Sequence, residues 1–234
     1  MKPILVMATV ALGLSGCDRF PGQPTAADRW QAPTAISDFK TLYTQNCLGC
    51  HGDGQSIAGS ITMKNPVYLQ ILPEAVLRQV VSVGIPGSNM PAFAVSSGGQ
   101  LTDAQIDVLV QGILAWKDSK ALPAAPIPEY SAALGDVAAG AEAFALACGS
   151  CHGTDGKGGE KAGSVVNPKY LDLVSNQYLR TVTIAGRPEL GCPDFAHRIP
   201  GQAMDAAAVA NIVAWLDSHR RNEFGKPMGP RTSP

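Results

Sequence analysis

Charge is scarce in this chain. Asp, Glu, Lys and Arg make up 16% of the 234 residues, against roughly 25% in an ordinary soluble domain. The 18 Lys and Arg nearly cancel the 19 Asp and Glu, leaving a formal net charge of -1. The basic residues form no cluster, so the electrostatic footprint of a nucleic-acid binder is missing and no nucleic-acid partner is expected. Long apolar runs are missing too: beyond Leu14 no segment approaches the roughly 20 apolar residues that a bilayer span requires. No stretch sustains the apolar–polar alternation of a strand, which argues against a sheet-based architecture. The lone Asp and Glu residues form no readable acid–base pair.

The N-terminus reads as an export signal. Met1-Lys2 supplies a short positive start, and Ile4 to Leu14 is an apolar run broken only by Thr9 and Gly13. That length suits a signal h-region and is too short to cross a membrane. The run ends in Leu14-Ser15-Gly16-Cys17, which resembles a bacterial lipobox, where small residues precede a cysteine that is lipidated and becomes the mature N-terminus. The alternative is an ordinary cleaved signal followed by a chance cysteine. The lipobox implies an extracytoplasmic protein held by several acyl chains, the arrangement that gives stable anchoring. Asp18 resembles the inner-membrane retention signal of enterobacterial lipoproteins, which points to the periplasmic face of the inner membrane.

Residues 1–16 are therefore expected to be a signal peptide and 17–35, rich in Pro, Ala and polar residues, a tether. A second punctuation falls at 121–130, where Leu122 to Tyr130 carries three prolines and is expected to act as a semi-rigid spacer. Residues 223–234 read as a loose tail. The two segments between, 36–120 and 131–222, repeat each other. Asn65–Phe93 aligns with Asn167–Phe195 at an offset of 102 without a gap, and 11 of the 29 positions are identical. The shared frame NPxYL, the Leu-Arg pair (Leu77-Arg78, Leu179-Arg180) and the ending G-x-P…P-x-F mark a duplicated domain. Each copy is expected to be all-α. Helices are predicted over Ile36–Asn46 and Ala138–Ala147, over Pro73–Val83 and Asn176–Ala185 with Gly84 or Gly186 as the stop, and over Thr102–Ser119 and Met204–His219. Thr102 and Gln105 make a capping box; no equivalent capping residue stands at the aligned position of the second copy.

The strongest signal is a pentapeptide present twice, Cys47-Leu48-Gly49-Cys50-His51 and Cys148-Gly149-Ser150-Cys151-His152. Two thiols at this spacing add across the two vinyl groups of one haem, and the adjacent histidine then meets the iron. A redox CxxC pair or half a zinc site is the bland alternative. Duplication behind an export signal, each copy at the end of a helix, favours two covalently bound c-type haems.

On these residues both halves resemble class I cytochromes c, over roughly 36–120 and 131–220. The resemblance implies a Gly and an aromatic in the first helix packed on an aromatic of the last. The second copy supplies Gly140, Phe144 and Trp215. The first supplies Tyr43 and Trp116 but has Phe39 where glycine is expected, so its helix crossing must be wider or rearranged. A proline carbonyl after the haem motif is expected to orient the proximal histidine, with Pro66 and Pro168 the nearest candidates. The sixth iron ligand implied by the family is the methionine of an MP loop. Asn89-Met90-Pro91-Ala92-Phe93 provides Met90; the same alignment puts Cys192 there in Gly191-Cys192-Pro193-Asp194-Phe195. A thioether favours ferrous iron and a thiolate favours ferric, so the second haem would have the lower potential. Three other readings of the second copy stay open: Cys192 as a free thiol beside five-coordinate iron, Met204 as ligand, or His197 as ligand. Glycines after each motif (Gly52, Gly54, Gly59; Gly153, Gly156, Gly158, Gly159) suit a loop passing close to a porphyrin edge. Arg78 and Arg180 share one helical position and would serve either a haem propionate or a solvated face.

Similarity to this family implies a tethered electron carrier between redox proteins: a quinol-oxidising complex or dehydrogenase on one side, a terminal oxidase or soluble cytochrome on the other. The cofactor carries the chemistry while the protein sets distance, exposure and potential. A His/Cys haem beside a His/Met haem also resembles thiosulfate dehydrogenases, which leaves open an enzyme holding an anionic substrate near Cys192 with Arg187, Arg198 or Lys169. A redox or gas sensor with a displaceable Cys192 is a third class, disfavoured by the absence of a signalling domain.

Overall fold

The computed structural model describes Thr25 and residues 30–53, 60–85, 88–131 and 133–221. The signal peptide, Cys17, Asp18, Gly54, Gly59 and the tail beyond residue 221 lie outside the described residues. The stretch up to Ile36 forms a unit by itself; its described part holds one 3-10 turn, Pro33–Ala35, and a largely exposed Trp30. Everything from Ser37 onward forms a second unit that contains both repeats.

This unit is all-α, with isolated bridges and no β-strand among the described residues. The first repeat contributes α1 (Phe39–Asn46), α2 (Leu48–His51), α3 (Pro66–Ile71), α4 (Glu74–Val83) and α5 (Asp103–Leu114). The second contributes α6 (Val137–Ala147), α7 (Gly149–His152), α8 (Pro168–Leu173), α9 (Asn176–Ala185) and α10 (Ala206–Ser218). Local chemistry sets most boundaries. The shared NPxYL frame proves to be a helix start: Asn65 accepts from Tyr68 N and Asn167 from Lys169 N, and the proline that follows each occupies the first turn, where its missing N–H costs nothing. Thr102 and Gln105 form both halves of a capping box on α5. In the second repeat the last helix begins further on than the alignment suggests, and Asp205 caps it through Ala208 N at 2.8 Å. Helix α5 closes at Leu114 and the chain continues to a 3-10 turn over Ser119–Ala121, so the long helix predicted to Ser119 is shorter than expected.

First and last helices cross in each repeat, α1 on α5 and α6 on α10. In the second crossing a Cβ on Gly140 would fall 2.0 Å from Asn211 O, so only glycine admits so close an approach. In the first crossing the small residue has moved to the other helix: a Cβ on Gly112 would fall 2.1 Å from the Phe39 ring. Positions 39 and 112 align with 140 and 211, so the repeats hold Phe/Gly and Gly/Asn in the same two places. The expected departure of the first copy is thus an exchange of large and small residues across one contact. Phe39 then joins Tyr43 and Trp116 in an aromatic cluster, with centroids 5.2 Å and 5.0 Å from Trp116. Its counterpart is the Phe144–Trp215 pair at 4.3 Å.

The repeats also pack on each other. Helix α3 of the first lies against α9 of the second, and Ile61 and Val67 join the buried cluster built around Phe144, Leu179 and Phe195. Asn65 does double duty: its oxygen caps α3, and its Nδ2 donates to Ala185 O at 3.0 Å across the boundary. The proline-rich connection does not stand off as a spacer, because Leu122, Ala125 and Ile127 pack on this core. Arg180 holds its far end, with the guanidinium 5.6 Å over Tyr130 and Nη2 donating to Ala133 O at 3.1 Å.

Candidate haem sites

Each CxxCH motif straddles a break between two helices. Cys47 and Cys148 leave helical geometry at the ends of α1 and α6, and the short α2 and α7 carry the remaining motif residues. Burial pushes the Cys47 thiol up to about 11 and raises that of Cys148 as well, while the Arg198 guanidinium beside Cys148 pulls the other way.

Ring nitrogens report how the histidines are set. His152 Nδ1 lies 2.7 Å from Gly163 O. A carbonyl only accepts, so Nδ1 carries the proton and Nε2 keeps its lone pair. His51 Nδ1 lies 2.8 Å from Ser60 Oγ and 3.4 Å from Ile61 O. Ser60 donates its hydroxyl to Cys50 O at 3.0 Å, so it accepts from the imidazole and the same tautomer results. Burial lowers the His51 pKa and favours the neutral ring. Ile61 and Gly163 align at the offset of 102, so one backbone position serves both sites. The carbonyls of Pro66 and Pro168, expected for this duty, are not the partners. Those prolines open α3 and α8, and the chain reaches the imidazoles earlier, in the loops that precede them.

Opposite the second motif, one cleft is lined by Phe144, Cys148, His152, Val182, Cys192 and Arg198 among others. Cys192 is half-buried there. Neither Met204 nor His197 is among the residues that line this cleft. Met204 is 3% exposed, and its N–H donates to Phe195 O at 3.0 Å. Leu101 makes the same bond to Phe93 O in the first copy, so Met204 fills a packing position. His197 is 67% exposed and pairs with Asp194 at 2.7 Å. The loops carrying Met90 and Cys192 are held alike. Ile85 N donates to Met90 O at 3.0 Å, and Arg187 N to Cys192 O at 2.8 Å. Gly84 and Gly186, with φ of 71° and 69°, do more than stop their helices. A Cβ on either would fall 2.6 Å from Met90 O or Cys192 O, so the loop's approach requires glycine.

Several other candidates find different duties. Arg78 pairs with Glu74 and Asp107 on the surface, and Arg180 is buried under the connection, so neither lines the second cleft. Arg187 is buried against Glu189 and Lys169 is exposed, leaving Arg198 as the cation of that trio that lines the cleft. Gly156 and Gly159 approach the protein itself: added Cβ atoms would meet Val166 and Trp215, or Cys151 O. The donor sets suit a covalent haem in each repeat. Paired thiols adjoin a neutral imidazole with a free Nε2, a sulfur-bearing loop is present in each copy, and a buried Thr62 hydroxyl in the first repeat has no partner among the described residues.

An all-α pair of repeats with two such sites defines a diheme cytochrome c. Comparison with known proteins agrees. The chain belongs to the family described as cytochrome c oxidase, cbb3-type, subunit III, whose model matches residues 34–111 and 135–216. It is 26% identical over 216 residues, 91% of this chain and 73% of the relative, to the cytochrome bc1 complex cytochrome c subunit of Mycobacterium tuberculosis (strain ATCC 25618 / H37Rv). It is 30% identical over 147 residues, 62% of this chain and 43% of the relative, to the cbb3-type cytochrome c oxidase subunit CcoP of Rubrivivax gelatinosus. A shorter match, 41% over 71 residues, or 30% of this chain and 13% of the relative, links it to the dihydro-heme d1 dehydrogenase of Pseudomonas aeruginosa. The chain is thus an electron-transfer cytochrome c with two covalently bound c-type haems.

Proposed function

We propose that this chain is an extracytoplasmic electron carrier, tethered to the periplasmic face of the inner membrane through a lipid on Cys17, that links a quinol-oxidising complex or dehydrogenase to a terminal oxidase or soluble cytochrome. Its relatives are subunits of a bc1 complex and of a cbb3 oxidase, which supports partners of this kind. Cys47, Cys50 and His51 would hold the first haem in domain 36–120, with Met90 as the second iron ligand. Cys148, Cys151 and His152 would hold the other in domain 131–222, with Cys192 as its second iron ligand. Each haem, when bound, supplies a one-electron Fe(III)/Fe(II) couple. The protein's part is to fix the imidazole tautomers through Ser60, Ile61 and Gly163, to hold the sulfur-bearing loops on Gly84 and Gly186, and to keep bulk water from the buried cores.

The observation that carries the ligand assignment is the second cleft, which Cys192 lines together with Cys148 and His152 while Met204 and His197 do not line it. Low-temperature EPR of the oxidised full-length protein tests it. The expected result is a low-spin signal with the compressed g-spread of thiolate ligation, lost in Cys192→Ala; an identical spectrum in that variant removes Cys192 from the iron. The anchor has its own test: Cys17→Ser should move the protein from the membrane fraction to the periplasm, and retention in the membrane would contradict lipidation.

A second reading, direct oxidation of an anionic sulfur compound at the Cys192 site, has Arg198 in its favour, since a cation lines that cleft. Steady turnover with thiosulfate and an external electron acceptor would establish it, and its absence leaves the carrier.

A further inference from the structure

The second cleft holds a positive charge, that of Arg198. Arg198 reaches it from the loop after Cys192. Its Nε donates to Thr183 O at 3.2 Å and its Nη2 to Val182 O at 2.7 Å, both on α9, and Nη1 lies 3.9 Å from Cys148 Sγ. The carbonyls hold the guanidinium in place without cancelling its charge. Neighbouring arginines have carboxylate partners, Arg187 with Glu189 and Arg220 with Asp217, but no ion pair joins Arg198 to an acid among the described residues. The nearby acids are engaged elsewhere: Glu189 by Arg187, and Asp194 by His197 and by Ala196 N. At offsets of 101 and 102 the first repeat has Ser97 and Ser96. The two sites therefore differ by a paired change, methionine to cysteine and a neutral residue to arginine.

The position of the guanidinium narrows its partner. Cys148 is a thioether position, and the vinyl groups that form thioethers lie on the opposite half of the porphyrin from the propionates. A guanidinium beside Cys148 therefore belongs to the thioether edge, not the propionate edge. No Asp or Glu lines the cleft, so with Cys192 bound to iron its thiolate would be the anionic group there.

We propose that Arg198 is the charge partner of the Cys192 sulfur, a positioning residue that withdraws electron density from the thiolate and so raises the potential of the second haem above that of a bare thiolate site. The proposal rests on Cys192 being an iron ligand. Its consequence is a smaller gap between the two haems than the exchange of methionine for cysteine would otherwise produce.

Redox titration of the full-length holoprotein, read at each haem and paired with EPR, tests this. Arg198→Gln should lower the second wave by at least tenfold in its reduction equilibrium, about 59 mV for a one-electron couple, with the first wave unmoved and the thiolate g-values retained. Arg198→Lys keeps the charge without the fork of donors and should fall between Gln and wild type; it also carries the test should Arg198→Gln fail to retain its haem. In a Cys192→Met background the Arg198→Gln shift should drop well below tenfold. An unmoved second wave in Arg198→Gln with thiolate g-values intact overturns the proposal and leaves the ligand assignment standing. An equal shift in both backgrounds also overturns it, since the arginine would then act on the iron's charge and not on sulfur. A wave shifted by added thiosulfate in the wild type but not in Arg198→Gln would make Arg198 a site for an external anion instead. A wild type without thiolate g-values removes the ligand assignment and the proposal together.

Discussion

Met90 and Cys192 sit at the same place in two loops closed by equivalent hydrogen bonds, Ile85 N to Met90 O and Arg187 N to Cys192 O. The two loops share this anchoring bond, and at the anchored position the side chain changes from a thioether to a thiol. A neutral thioether stabilises ferrous iron and a thiolate stabilises ferric iron. Reduction is expected to proceed in two waves and to settle first on the N-terminal haem. Met90→Ala should abolish the high-potential wave and leave the lower one in place. A single wave in the wild type would contradict the assignment. At this scale the sequence was a good guide to which residue types matter and a poor one to their partners. Met90 and Cys192 stand out by alignment, whereas the carbonyls of Ile61 and Gly163 carry no side-chain signature that would single them out.

Helix crossings show how one contact tolerates two solutions. Gly140 meets the backbone of α10 at Asn211, which cannot yield, while Gly112 meets the Phe39 ring, which has rotamers to spend. Overpacking costs about 1–3 kcal/mol in a typical core. Gly140→Ala should fall at the top of that range and Gly112→Ala lower. Combining Gly112→Ala with Phe39→Ala should cancel much of the clash, as non-additivity in urea denaturation of the four variants of that cycle. Strict additivity would mean that the two residues do not share the contact. The exchange was invisible as such in the sequence: a missing glycine in α1 was plain, but its replacement lay 73 positions downstream at residue 112. Of the element ends, the Thr102 capping box was legible in the sequence, whereas Asp38, Asn65, Asp136, Asn167 and Ser175 emerge as caps from the structure.

Across the whole molecule, the two repeats behave as one packed body from Ser37 onward. Asn65 is the polar contact on which that packing turns. It is 4% exposed and bonds Ala185 O, while its counterpart Asn167 is exposed and serves as a cap. Asn65→Ser keeps a capping hydroxyl but loses the donor that crosses to α9. A buried carbonyl left without its partner costs about 1–3 kcal/mol. The wild type is expected to unfold in a single calorimetric transition and the variant in two, one per repeat. Asn167→Ser, a cap exchanged for a cap at an exposed site, should change stability by a few tenths of a kcal/mol. Equal effects of the two substitutions would mean that the contact with Ala185 contributes nothing.

What the sequence determined by itself was covalent and local. The CxxCH spacing carries haem attachment because two thiols and an imidazole within five residues need no distant partner. Duplication follows from ungapped identity, and the all-α class from helical periodicity and caps. The tertiary structure decided what depends on elements far apart in the chain. It placed Cys192 in the lining of one cleft with Cys148 and His152, and left Met204 and His197 out of that lining. It set Arg198 on the carbonyls of α9, laid the proline-rich connection on the core, and moved a glycine from one helix to its partner. The physical reason is the same in each case. Which side chain lines a cleft or yields at a crossing is fixed by the packing of surfaces whose residues lie dozens of positions apart, and a close-packed interior admits only one such arrangement.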